Sequence, residues 1–492
     1  MHFVAALDDN PDLRAVLCLF EGVATGAADG FARMSGRPAA TLLHLGPGLG
    51  NGLANLHNAR RASSPVLNVV GDHATWHAAL DSPLSSNIQT VAANVSPGFV
   101  RYGHRVEAIG LDAVEAIDAA YGPPGSVATL ILPADVSWDE GGLPGPVSAG
   151  HLPSRVEPDR IASIAALLKT SERPALLVGG SACSRPALEA AAAICAGSGA
   201  RLICETFPPR LSRGVGLPRP ERLAYFSEYA LTQLEGITDL VLVDAEPPVA
   251  FFAYPDKKSE LVPEGCTVHV LAMGSDDVRG ALDALVAELG AEGSVDRPKK
   301  APDSNLPRGA LTAESVMQAV GVLLPEDAIV SDESVTAGQY AFHYTRHSAP
   351  HEYLTLTGGA IGQGLPLAVG AAVACPERRV IALEADGSAM YTPQAWWTMA
   401  RENLDITTII LNNGAYAVLG MELQRVGADS DGIKARELLN IGQPDLDFVS
   451  IASGMGVESR SANDAEEFVA HLRWSLSTRG PTVVEARIPA VL

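Results

Sequence analysis

Along the chain, short apolar runs alternate with longer stretches of mixed, helix-like patterning. Runs at Ala40–Leu45, Pro65–Val70 and Val127–Leu132 read as buried strands of a first block. Ala175–Val178, Arg201–Cys204, Asp239–Val243 and Thr267–Leu271 form a second set. Ala328–Val330, Val380–Leu383, Thr407–Leu411 and Thr482–Glu485 form a third. Strands separated by helical stretches indicate βαβ units and therefore parallel sheets. Ahead of the first set, Met1 to Asp8 reads as helix and Ala15 to Phe20 as one more buried strand. Two stretches rich in proline and glycine or charge, Asp139 to Pro158 and Glu292 to Arg308, read as linkers. The expected fold class is α/β, with three consecutive open parallel-sheet domains at residues 1–150, 155–295 and 309–492.

A chain of 492 residues is long enough for several separate cores. Its composition, 47% hydrophobic and 19% charged, is that of a soluble globular protein. The net charge of −22 argues against nucleic acid or an anionic membrane as partner. No window approaches the roughly 18 apolar residues of a membrane span, and no basic-then-apolar leader opens the chain. Six cysteines are scattered without a Cys-x-x-Cys pair, which fits a reducing cytoplasm. A cytoplasmic location is expected.

The run Val380–Leu383 ends in Glu384-Ala385-Asp386-Gly387-Ser388, and Thr407–Leu411 ends in Asn412-Asn413-Gly414. The 27 residues from Asp386 to Asn413 suit one strand–helix–strand unit, with the helix at Pro393 to Glu402. Ligands of open α/β sheets collect at the carboxyl ends of strands, which places Asp386 and Asn413 side by side. A carboxylate, an amide oxygen and a nearby backbone carbonyl form a hard-oxygen half-shell suited to Mg²⁺. Asp-Gly or Asn-Gly alone is an ordinary turn; the two at this spacing point to a metal–diphosphate site.

Glu21 ends an apolar run and opens an Ala/Gly-rich helix. It reads either as an acid stabilised by the helix dipole or as a carboxyl in apolar surroundings that favour its protonated form. His44 closes a strand ahead of Gly46-Pro47-Gly48. Gly358-Gly359-Ala360-Ile361-Gly362-Gln363-Gly364 is a glycine-rich turn entering an Ala-rich helix, and Asp332-Glu333-Ser334-Val335-Thr336 follows another strand. Gly179-Gly180-Ser181 lacks a complete Gly-x-Gly-x-x-Gly and reads as a strand-end turn. His73 and His77, four apart but without a third ligand, read as surface or interface residues.

Together these stretches resemble the thiamin-diphosphate-dependent enzymes, whose motif is Gly-Asp-Gly followed by Asn-Asn. Ala385 replaces the first glycine, which the turn tolerates at negative φ. The resemblance implies Mg²⁺ contacts by Asp386, Asn413 and the carbonyl of Ala415. It implies diphosphate contacts by Thr336, Gly387 and Ser388, an apolar wedge at Ile361 that bends the cofactor, and a carbonyl at Gly359 for its 4′-amino group. Tyr416 and Leu419 then line the substrate pocket. Leu19-Phe20-Glu21 through Gly30-Phe31-Ala32-Arg33 resembles the segment whose Glu bonds the aminopyrimidine N1′ and shuttles its proton.

His44, 23 residues after Glu21, matches an active-site His of benzoylformate decarboxylase; acetolactate synthases usually have Thr there. Such decarboxylases carry a second His roughly opposite Phe252. The order of pyrimidine-binding, middle and diphosphate-binding domains resembles acetolactate synthase large subunits over the whole chain. The last domain is equally similar to benzoylformate decarboxylase. The resemblance therefore implies thiamin diphosphate, Mg²⁺ and a 2-oxo acid substrate. Decarboxylation and carboligation of pyruvate come first, non-oxidative decarboxylation second and a non-catalytic cofactor-binding homologue third. It also implies a homodimer or homotetramer with sites at the subunit interface. FAD is not expected, since residues 155–300 carry no signal for it. Family members have a further strand and a Pro-Gly loop ahead of the position of Met1, so a start at an internal Met is expected.

Overall fold

The computed structural model describes residues 2–147, 150–291, 299, 305–428 and 432–490. Most of the linker expected at 292–308, and residues 148–149 of the earlier one, lie outside the described residues. The first sheet contains Ala39–His44 (β1), Val66–Asp72 (β2), Val100–Tyr102 (β3) and Val127–Pro133 (β4), in the order β1-β2-β4-β3. All its pairings are parallel. The second sheet contains Pro174–Val178 (β5), Arg201–Cys204 (β6), Glu221–Arg222 (β8), Asp239–Val243 (β9) and Thr267–Ala272 (β10), ordered β10-β9-β5-β6-β8. Between β6 and β8, Leu211–Arg213 (β7) leaves this domain and pairs antiparallel on the third sheet.

That third sheet adds Ile329–Glu333 (β11), His351–Thr355 (β12), Val380–Ala385 (β13), Ile406–Asn412 (β14), Glu458–Ala462 (β15) and Thr482–Arg487 (β16). Its order is β15-β16-β14-β13-β11-β12-β7. β13, β14 and β11 are buried along almost their whole length because helices cover both faces, as a parallel sheet requires. Three α/β sheets are present, as expected. The apolar core is less divided than the sheets, since one buried cluster runs from Leu176 and Val241 of the middle sheet to Val330 and Ile409 of the third.

Ala15 to Phe20 is not a strand. Sheet order leaves it no neighbour, and Leu17 and Leu19 are half exposed. Cys18 and Phe20 instead pack against the core of the third domain, where the Thr398 hydroxyl donates to the Leu17 carbonyl. The apolar residues that suggested a strand serve a domain contact.

Helix Glu21–Ser35 packs closely on helix Gly364–Ala374 of the third domain. A Cβ on Gly26 would lie 2.5 Å from the Pro366 Cβ, one on Gly30 2.1 Å from the Leu367 carbonyl oxygen, and one on Gly370 1.8 Å from that of Ala27. Glycine weakens a helix interior by about 1 kcal/mol; here it permits backbone-to-backbone approach between two buried helices. The small residues therefore serve a helix–helix crossing as well as packing on a sheet. Beside the crossing, the wholly buried Arg33 and Asp29 form a bidentate pair of 2.6 and 2.8 Å. Ser64 and Gln363 also donate to Asp29, while Arg33 reaches the carbonyls of Pro209 and Thr355 and the Thr357 hydroxyl. These hydrogen bonds compensate the burial of both charges and join all three domains.

Candidate active site

Asp386 begins the short helix after β13, and Asn413 directly follows β14, the neighbouring strand in register. The Asp386 carboxylate, 2% exposed, accepts N–H bonds from Gly387 at 2.8 Å, Asn413 at 3.0 Å and Gly414 at 2.7 Å. Three donors leave part of its roughly four-site acceptor capacity free. Burial pushes its carboxyl above the usual range against those hydrogen bonds, and a cation would offset that cost. Ala385 has φ −84°, so alanine replaces glycine there without backbone strain.

The Asn413 side-chain oxygen accepts from the Ala415 N–H at 3.0 Å. Gly414, at φ +66°, turns the loop, which is held by the Tyr416 N–H donating to the Leu439 carbonyl and the Ile441 N–H donating to that of Gly414. The Tyr416 ring lies over Gly387, where an added Cβ would sit 2.4 Å from its Cε1. Carboxylate, amide and backbone oxygens, with no thiolate or imidazole, make a donor set that fits Mg²⁺. Asp386, Gly387 and Ser388 open a short helix directly after β13. The Ser388 hydroxyl is turned inward to the carbonyls of Ala385 and Glu333, so its contribution on the open side is its backbone N–H.

The turn carrying Gly359 and Ile361 is fastened from two sides. Glu333, at the end of β11 and 2% exposed, accepts from the N–H groups of Gly362 at 2.7 Å, Gln363 at 3.2 Å and Gly364 at 2.7 Å. Helix Leu45–Arg61 supplies the other side. Asn55 donates to the Gly362 carbonyl, Asn58 exchanges two hydrogen bonds with Ala360, and the His57 ring meets the Gly358 carbonyl at 3.1 Å. Gly359 and Gly362 have φ of +74° and +93°, which glycine adopts without penalty. Glu384, wholly buried, lies against Glu333. Burial raises both carboxyls, Glu333 to about 7 against its three N–H bonds and Glu384 further because the Glu333 charge adds to burial, so the proton of the pair rests first on Glu384. Thr336 lies in the 3₁₀ turn after β11 beside Val335, a β-branched residue at φ +49°. Such strain costs on the order of 1–3 kcal/mol, and it presents the Val335–Thr336 backbone on the side of Asp386.

In the first domain, Glu21 heads its helix and accepts a 3.1 Å hydrogen bond from Asn51. His44 ends β1 with its side chain exposed. Both border Gly48, where an added Cβ would lie 3.1 Å from the Glu21 Oε1 and 3.5 Å from the His44 Cβ. Between them Leu45 takes φ +56°. The structure thus unites Glu21 with His44, and Asp386 with Asn413, Ala415, Gly387 and Tyr416. Among the described residues no hydrogen bond or ion pair joins the Glu21 group to the Asp386 group.

Several residues at the site escaped the sequence reading. Phe251, and not Phe252, touches the turn: a Gly359 Cβ would be 2.7 Å from its ring. Phe251 also packs edge-on against Phe207 and Phe252 and at a tilt against Tyr225. Asn55, His57, Asn58 and Glu333 were missed as well; the polar residues on a helix otherwise rich in Gly, Ala and Leu were a usable signal for the first three. His73 and His77 face one another with ring centroids 5.4 Å apart, and His73 bonds Ser82. Among the described residues no group of three or more His, Cys, Asp and Glu could hold a metal.

In the middle domain, the crevice lies where the connections from β5 and β9 leave in opposite directions, the usual nucleotide position in such sheets. Asp244 fills it, accepting the Ser181 N–H and hydroxyl at 2.7 Å each. Beside it the Glu205 carboxyl is pushed up to about 7 by burial and then by the Asp244 charge. Among the described residues no helix is long and apolar enough to cross a membrane.

Comparison with known proteins agrees with this geometry. Residues 1–93 match the family described as "Thiamine pyrophosphate enzyme, N-terminal TPP binding domain", and residues 336–486 match its C-terminal TPP binding domain. A Mycobacterium tuberculosis protein named "Putative acetolactate synthase large subunit IlvX" is 53% identical over all of this chain and 95% of its own. A Pseudomonas aeruginosa benzoylformate decarboxylase is 30% identical over 97% of this chain and 93% of its own. The crystallised 4-hydroxybenzoylformate decarboxylase of Rhodococcus jostii superposes with a TM-score of 0.83 over 99% of this chain and 94% of its own, at 23% identity, a likeness of fold. The chain belongs to the thiamin-diphosphate-dependent enzymes that act on 2-oxo acids.

Proposed function

We propose that the enzyme uses Mg²⁺ and thiamin diphosphate to decarboxylate a 2-oxo acid and protonates the carbon that has lost CO₂, releasing an aldehyde. The observation that carries this reading is that Glu21 and the exposed His44 both border Gly48, where an added Cβ would lie 3.1 Å from the Glu21 Oε1 and 3.5 Å from the His44 Cβ. Asp386, Asn413 and the Ala415 carbonyl would hold Mg²⁺, and the backbone N–H groups at Thr336 and Ser388 would hold phosphate oxygens, the Gly387 N–H being taken by Asp386. Ile361 and Gly359 would support the pyrimidine side. When bound, the cofactor supplies the electron sink for loss of CO₂.

Glu21 holds and returns a proton at its carboxylate, and His44 delivers one to the reacting carbon. Phe251 and its aromatic neighbours keep water from the Gly359 side. A positioned acid of this kind contributes about 10²–10⁴-fold, so His44→Ala is expected to lower aldehyde release by that order. Glu21→Gln is expected to remove most turnover and leave cofactor binding in place; full activity in that variant refutes its role.

Acetolactate-type carboligation is the second reading, supported by the name of the 53% identical relative. Incubation of the holoenzyme with pyruvate and with benzoylformate separates the two. Acetaldehyde or benzaldehyde supports decarboxylation, acetolactate supports carboligation, and no product from either refutes both for these substrates. The resemblance of the chain to its family supports a homodimer in which each site draws on two chains; an active monomer in sedimentation rules this out. The Asp244 carboxylate in the middle-domain crevice would repel an anionic dinucleotide, which supports the absence of FAD; a yellow preparation would contradict that.

A further inference from the structure

We propose that a cleft between residues 211–222 and helix Ala341–Thr345, remote from Asp386 in the sheet, is a binding site for a small phosphate-bearing molecule. The cleft measures about 530 Å³, and four arginines line it: Arg213, Arg219, Arg222 and Arg346, with His343 and Phe342 between them. This concentration of positive charge stands in a chain of net charge −22. The one carboxylate in the lining, Glu221, is engaged by Arg201 through two hydrogen bonds.

Arg213 is the key group. It is 5% exposed, donates one hydrogen bond to the Phe342 carbonyl, and leaves Nε and Nη1 without a partner among the described residues. Its guanidinium lies 3.5 Å from the Phe342 ring centroid, and that of Arg222 lies 5.3 Å from the same centroid. Two cations thus share one aromatic ring. Arg222 donates to the Thr206 carbonyl, and Arg346 to the His347 ring, so neither contact is with a carboxylate. Burial and the Arg222 charge lower the pKa of Arg213 to about 10, which leaves it charged at neutral pH.

A buried, unpaired charge costs several kcal/mol unless a counter-ion satisfies it. The guanidinium fork matches the oxygens of a phosphate group, which can bridge two such forks. The volume falls in the range of sites for small organic ligands, about 300–1,000 Å³, so it has room beyond a phosphate group. His343, held below its usual pKa by burial and by Arg346, stays neutral and can donate one hydrogen bond.

The test is calorimetric titration of the holoenzyme, saturated with thiamin diphosphate and Mg²⁺, with inorganic phosphate and with AMP at fixed ionic strength. Binding of either supports the proposal: tighter AMP binding identifies a nucleotide-like ligand, and equal affinity identifies recognition of the phosphate group alone. Arg346→Gln, at the rim of the cleft, is expected to weaken binding by about tenfold, the worth of one charge-assisted hydrogen bond. It should leave turnover unchanged. Absence of binding, binding that this variant does not alter, or the same heat from chloride (an adventitious ion only) overturns the proposal.

Discussion

Glu333→Gln offers the sharpest test of how the glycine-rich turn proposed to meet the cofactor is held. The native carboxylate takes two backbone N–H groups on Oε1 and a third on Oε2, all within 3.2 Å. A glutamine of the same shape has one acceptor oxygen and one NH₂ group. Whichever way the amide is turned, NH₂ faces at least one backbone N–H. With its oxygen toward Gly362 and Gln363 it keeps two bonds and abandons Gly364. Leaving one such buried donor unsatisfied costs about 1–3 kcal/mol, and the surviving bonds lose their charge assistance, roughly half their strength. A total near 3 kcal/mol follows.

If that energy holds the turn in its binding conformation, cofactor affinity falls by up to about a hundredfold, since each 1.4 kcal/mol is tenfold. Thiamin diphosphate binding in excess Mg²⁺, followed by calorimetry or tryptophan quenching, reads this directly. Turnover at saturating cofactor should be largely retained, because Glu333 is wholly buried behind the turn. A lower melting temperature with unchanged cofactor affinity would refute the reasoning. It would show that Glu333 stabilises the domain without shaping the turn.

Two further substitutions test other parts of the molecule. Gly387→Ala places a Cβ 2.4 Å from the Tyr416 ring; overpacking of this kind costs about 1–3 kcal/mol, so Mg²⁺-dependent cofactor binding should weaken, and unchanged binding would show that the ring yields freely. For Glu205, the folded pKa of about 7 lies above the ordinary 4.5, so its contribution is fully present below pH 4.5 and is lost as pH rises through 7. The shift corresponds to about 3 kcal/mol at 1.36 kcal/mol per unit. Glu205→Gln cannot ionise, and its melting temperature should fall less than that of the parent between pH 5 and pH 8; parallel curves would disprove the assignment.

What the sequence conveyed follows from where each residue's information resides. In the third sheet β11, β13, β14 and β16 were legible because helices bury both faces and force buried runs, as in Ile406-Thr407-Thr408-Ile409-Ile410-Leu411, whereas His351–Thr355 and Glu458–Ala462, nearer the edges and more polar, were not read. Asp386 and Asn413 were legible because both lie at the carboxyl ends of strands, where spacing alone makes them neighbours once β13 and β14 are paired. β7 and β8 gave no such signal: each is two or three residues long, and Ser212 and Arg213 are polar although buried.

The clamp at Glu333 was hidden for a different reason. Its partners are backbone N–H groups some thirty residues away, and a backbone N–H looks the same in every residue type but proline. The same holds where the Asn58 side chain meets Ala360 and where Gly30 meets the Leu367 carbonyl. Sequence shows that a small or polar residue needs something close to it; the partner's identity appears only with the fold. Ala15 to Phe20 is the converse, an apolar segment whose need for burial was plain and whose partner proved to be another domain. For this enzyme the candidate groups at the strand ends are therefore readable as residues, while the contacts that shape the glycine-rich turn belong to the backbone.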